Sequence, residues 1–206
     1  MKTYHLIYII LLSFSITSCI GKVKEAQEDL QEASEGFGNL NKAVKELKNA
    51  SEDIKELSKL EPMTNEEFKA WMPEAIGDMP RTGYKTGQAQ YMNVASAEAT
   101  YKNEDKTKDI KITIIDGAGE TGALAISGIR MATAMDMEQE DEYGYQKTVK
   151  KEGFKAIEKY KTNGQRLELM FLYNDRYAVT VNSKGMEAKE IWGYIDEMDL
   201  TKLKKS

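Results

Sequence analysis

A chain of 206 residues, 41% hydrophobic and 31% charged, has room for one ordinary domain and a charged extension. Its net charge of −5 argues against a nonspecific nucleic-acid coat. The single Cys and the single His, Cys19 and His5, both fall near the N-terminus, so Cys–His and Ser–His–Asp catalysis, Cys/His zinc sites and disulfides are closed to the remainder.

The chain opens Met1-Lys2-Thr3-Tyr4-His5, continues apolar from Leu6 to Leu12, and reaches Ser13-Phe14-Ser15-Ile16-Thr17-Ser18-Cys19. A cationic start, an apolar core and small residues before a cut site describe a secretory signal. The apolar stretch is about 11 residues, against roughly 20 for a membrane-spanning helix. Ile16-Thr17-Ser18-Cys19 resembles the lipobox of bacterial lipoproteins, an aliphatic and two small residues before the modified Cys. The resemblance implies cleavage after Ser18, with Cys19 carrying a thioether-linked diacylglycerol and an acylated amino group. Such multiple chains anchor stably where one does not. The expected location is the cell envelope, with the membrane as partner through the anchor. Ile20 and Gly21 offer no acidic retention signal, which favours the outer membrane over the inner.

Residues 19–61 read as a helical stalk. Val23, Ala26, Leu30, Ala33, Phe37, Leu40, Val44, Leu47 and Ile54 keep a 3,4 spacing, with Ser51 filling the missed position. Gly36 and Gly38 flank Phe37 and weaken the helix there. The flanking charges show no complementary pattern. Homo-oligomerisation through the seam therefore stands beside a lone amphipathic stalk, or a helix lying on the membrane or on the domain.

Glu61-Pro62 ends the stalk, and residues 62–206 form the expected globular domain. Thr64 and Glu67 fit a capping box opening a short helix through Phe68 and Trp71. Alternation predicts strands over Val94 to Tyr101 and Asp109 to Asp116, the latter with Ile110, Ile112 and Ile114 inward. Gly122 to Met137 reads as one helix, with Leu124, Ile129, Met131 and Met135 among its apolar positions. Strands follow over Gln146 to Lys151, Phe154 to Lys161, Arg166 to Tyr173 and Arg176 to Val181, with turns at Gly153, Asn163-Gly164 and Asn174-Asp175. A last helix runs from about Glu187 through Trp192 and Ile195. Alternating strands joined by tight turns make an antiparallel sheet, so the fold class is α+β, with helices packed on the sheet. This order, with the Trp71-Met72-Pro73 approach to the first strand, resembles the PsbP-like α/β/α sandwich named for the photosystem II extrinsic protein. A cystatin-like or other antiparallel α+β fold fits the same order.

Gly117-Ala118-Gly119-Glu120-Thr121-Gly122 matches the dinucleotide pattern, but the strand before it alternates Ile110-Lys111-Ile112-Thr113 as a half-exposed strand does. It reads as a turn. Asp136, Glu138, Glu140, Asp141 and Glu142 crowd one loop without the spacing of a calcium loop, and read as a solvated surface. Met131, Met135 and Met137 read as core filling rather than soft-metal ligands. Lys147, Lys150, Lys151, Lys155 and Lys159, followed by Lys161, fall in neighbouring strands and form a candidate basic contact stripe.

No acid–base pair stands out, so no catalytic, metal or cofactor residue is assigned. The expected function is a non-catalytic binding or assembly role, toward an envelope protein or ligand rather than nucleic acid. An enzyme using Asp, Glu or Lys, and a structural protein oligomerising through the stalk, are the alternatives.

Overall fold

The structure, a computed structural model, describes residues 51–88 and 94–203. Cys19, the lipobox and the heptad seam through Leu47 lie outside the described residues. Among those described, one antiparallel sheet of nine strands carries helices on both faces, an α+β architecture.

Helix α1, whose described part covers 51–57, is followed by α2 (Asn65–Trp71). The capping box is complete. The Thr64 side chain accepts from the Glu67 amide at 3.2 Å, and the Thr64 amide donates to Glu67 Oε2 at 2.9 Å. Next come β1 (Ala75–Ile76), β2 (Met79–Gln88), β3 (Ala95–Lys102) and β4 (Asp109–Asp116), paired in sequence. Helices α3 (Gly119–Ala125) and α4 (Ser127–Ala134) then carry the chain to the far edge. There β5 (Glu138–Asp141) starts a second meander through β6 (Gly144–Lys151), β7 (Phe154–Lys161), β8 (Arg166–Tyr173) and β9 (Tyr177–Lys184). Strand β9 closes the sheet by pairing with β4, and α5 (Ala188–Glu197) follows. β-Branched residues fill this central seam: Ile110, Ile112, Ile114, Val179 and Val181 are all fully buried.

The hairpin turns follow their residues. Asn174 and Asp175 both take positive φ, 51° and 56°, and with Arg176 make up the three residues between the paired Tyr173 and Tyr177. Gly164 and Gly153 take 77° and 85°.

Two cores flank the sheet. On one face α2 and α5 bury Phe68, Trp71, Ile191, Trp192 and Ile195 against the inward rows of the strands. On the other face α1, α3 and α4 bury Leu57, Ala123 and Ile126 against Leu172 and Ala178, with Ile54, Leu60, Ile115 and Ile129 at the margin. Residues 54–60, within the expected stalk, thus pack on this face of the sheet. The reason is local. The last turns of the supposed stalk present Ile54 and Leu57 to an otherwise bare patch of sheet, and Asp53 pairs with Arg130 at 2.8 Å.

The single helix expected over Gly122 to Met137 is two. Ser127 donates its hydroxyl to Leu124 O at 2.7 Å, a local bond that competes with the helical ladder where α3 passes into α4. The buried stripe also differs from the expected one. Leu124, Met131 and Met135 are 63%, 61% and 56% exposed, so these methionines are not core filling, while Ala123, Ile126 and Thr133 turn inward. Glycine is required at the start of this segment because the helix lies close to the strand end. A Cβ on Gly122 would stand 2.7 Å from Asp116 O. The acidic segment is likewise not all loop, since Glu138 to Asp141 form the edge strand β5, every residue exposed.

Candidate functional site

The glycine-rich turn is explained by packing. A Cβ on Gly117 would meet Ile126 Cδ1 at 2.3 Å and Arg176 O at 2.7 Å, and Gly119 has a φ of +79°. Two of its amides are already used: Gly117 N donates to Arg176 O, and Ala118 N to Asp116 Oδ1. Strand β4 is antiparallel to both neighbours, so the parallel strand of a dinucleotide site is missing.

Asp116, fully buried, binds this turn to the chain entering the domain. It accepts from Arg176 Nε and Nη2 at 2.7 and 2.8 Å, from Ala118 N at 3.0 Å and from Met63 N at 2.7 Å. Arg176 Nη2 also donates to Glu61 O at 3.0 Å. The carboxylate hydrogen bond raises the Arg176 pKa above its ordinary value. Every oxygen of Asp116 is committed to structure.

A second buried carboxylate, Glu158, accepts from Trp192 Nε1 at 2.6 Å and Tyr145 Oη at 2.8 Å, with Lys147 Nζ at 3.7 Å. Burial, then the bond to Glu158, pushes the Tyr145 phenol well above its usual value. These partners fasten α5 to the sheet.

The five lysines of the candidate stripe do not share a face. Register puts Lys147 opposite Glu158 and Lys151 opposite Phe154, on the face of the main core. There Lys147 Nζ stands 4.5 Å from the Tyr145 ring centroid and Lys151 Nζ 4.2 Å from that of Trp192. Lys150, Lys155 and Lys159 point to the opposite face. Asp136 answers two of them, at 3.6 Å from Lys150 and 2.7 Å from Lys155. The Lys155 hydrogen bond holds the Asp136 carboxyl below the usual range. Of the five, Lys151 and Lys159 have no carboxylate within 4.0 Å among the described residues; Lys151 lies over the Trp192 ring, while Lys159 is exposed.

Lys159 belongs instead to the half of the second face that the helices leave open. With 7 and 8 residues, α3 and α4 are roughly 10–12 Å long, while the 8-residue strands run about 26 Å. Beyond their reach, one row crosses Lys111, Asn182, Glu168, Lys159 and Gln146. The next crosses Lys102, Asp109, Lys184, Arg166 and Lys161. A shallow depression of about 250 Å³ lies among Lys159, Lys161, Arg166, Glu168, Asn182 and Lys184.

Arg166 and Lys184 were not singled out by the lysine spacing. Hairpin counting reaches Arg166, since pairing outward from Asn163-Gly164 sets it against Lys161; Lys184 follows only from the register, because Tyr173 pairs with Tyr177 and so Arg166 stands against Lys184. Among the described residues no cluster of His, Cys, Asp and Glu is arranged to hold a metal ion, and no helix is long and apolar enough to cross a membrane. No protein-family model matches the chain, and no curated protein or solved structure matches it.

Proposed function

We propose that this chain is a cell-envelope lipoprotein, held by lipidated Cys19 in the outer membrane, whose globular unit works by binding through the open half of its sheet. The observation that carries the binding role is this half-face. It is a level array of charged and amide side chains on five adjacent strands, backed by a fully packed core and left bare by the helices. A rigid backing holds such side chains at fixed spacing, so recognition costs little ordering. The depressions on this face are shallow, which suits an extended partner better than an enclosed small substrate. Helices on both faces support the resemblance to the PsbP-like sandwich, a fold-level likeness that assigns no activity.

Two measurements test the reading. Replacing Cys19→Ser should abolish fatty-acid labelling and release the protein from membranes; a variant still processed and still pelleting with membranes overturns the anchor. A photo-crosslinking residue at Asn182, on the open face, should give a discrete adduct in intact cells. The same residue at Lys69, on α2, should not, and equal yields from both positions overturn the contact face.

A further inference from the structure

We infer that the open half-face is a docking surface for a linear polyanion, engaged by the cation row Lys161–Arg166–Lys184 with Lys159 beside it. The inference rests on the contact face proposed above and names its ligand class. Register sets Lys161 directly opposite Arg166, and Arg166 directly opposite Lys184. Neighbouring strands lie about 4.8 Å apart, so three cations stand within roughly 10 Å along one line. Like charges in directly opposed positions destabilise a sheet.

Most other cations of this sheet lie near a carboxylate. Glu98 lies within reach of Lys85 and Lys111, Glu158 of Lys147, Asp136 of Lys150 and Lys155, and Glu190 of Lys108. In the row, Lys159, Lys161, Arg166 and Lys184 are all exposed, and none has a carboxylate within 4.0 Å among the described residues; the same holds for Lys102 at the end of the row and for Lys151, which is covered by the Trp192 ring. Asp109 is opposite Lys184 but shared with Lys102, and Glu168 is opposite Lys159. The local balance stays positive on a chain whose net charge is −5.

The shape selects among anions. A depression this open cannot enclose one small anion, and single exposed cations bind weakly, so affinity must come from several charges on one molecule. A line of cations fits charges carried along a backbone. Among the described residues Tyr143 is the one exposed aromatic side chain that borders Lys159 and Lys161, and a single ring is too little for the run of stacked bases that a single-stranded nucleic acid brings. Leu124, Met131 and Met135 belong to α3, α4 and the residue after it, and Tyr143 alone borders the row, so the row has no cluster of apolar groups to enter a lipid surface.

The test titrates the full chain in mild detergent with inorganic polyphosphate and, separately, with polygalacturonate, at low and physiological salt. Binding of either, weakened by salt, is expected, and the stronger arm identifies phosphate or carboxylate as the preferred charge. Lys161→Glu with Lys184→Glu should weaken binding at least tenfold. Lys69→Glu with Lys202→Glu, an equal change of net charge elsewhere, should weaken it less than twofold. The row variant should keep its melting midpoint; where it does not, Lys161→Gln with Lys184→Gln must reproduce the loss. Equal losses in the two pairs, no binding of either polymer, or binding only to dT oligomers or phosphatidylglycerol vesicles overturns the inference. Polyanion binding can fail while the Asn182 adduct persists, which would reject the ligand class and leave the contact face standing.

Discussion

Leu57 decides whether the segment before Pro62 is a free stalk or part of the domain. Its side chain is 7% exposed and packs with Ala123, Ile126, Leu172 and Ala178. Leu57→Ala removes three carbons, a transfer loss of about 2.4 kcal/mol at 0.8 kcal/mol per methylene. Both residues are strong helix formers, so α1 itself is little affected. The cavity contribution is small because the half-buried Ile54 and Leu60 border the site and can settle inward. The expected cost is therefore about 2–3 kcal/mol, a large share of a total of about 5–15 kcal/mol, and a midpoint lowered by roughly 5–10 °C. Urea denaturation followed by tryptophan fluorescence reads this directly, since Trp71 and Trp192 both sit in the main core across the sheet. Lys59→Ala, exposed on the same segment, is the matched control. A Leu57→Ala cost below about 0.5 kcal/mol would refute the packing of this segment on the domain.

Arg176→Met should cost about 3–5 kcal/mol by leaving Asp116 charged and buried, and adding Asp116→Leu should recover part of that loss in a double-mutant denaturation series. On α3 and α4 the exposed and buried stripes should separate: Met131→Ser should change stability by less than about 0.5 kcal/mol, whereas Ile126→Ala should cost about 2–5 kcal/mol by the same assay. Burial raises Tyr101, Tyr177 and Tyr194 to about 12. Unfolded tyrosines release protons from about pH 10, so the folded state binds more protons between pH 10 and 12 and stability should fall as pH rises through that window. A denaturation midpoint that is flat or rising from pH 10 to 12 would refute those shifts.

What the chain determines by itself is the set of local decisions. Thr64 and Glu67 cap α2 because both partners lie within one turn, and Asn174-Asp175 reverses the chain because those residues tolerate positive φ. Period-two alternation placed Ile110, Ile112 and Ile114 inside, since successive side chains of a strand point to opposite faces. Strand β5 was hidden because four polar residues at a sheet edge carry no burial alternation at all. Tertiary structure decided the rest. Gly122 to Met135 contains two apolar stripes, and only the close approach of Gly117 and Gly122 to their neighbours selects the one with Ala123 and Ile126 for burial. The lysines of β6 and β7 look like one patch in sequence, yet register sends Lys147 and Lys151 to one face and Lys150, Lys155 and Lys159 to the other. The unpaired row Lys161–Arg166–Lys184 exists only once three strands are aligned, because a cross-strand charge row is a property of register and not of any single segment.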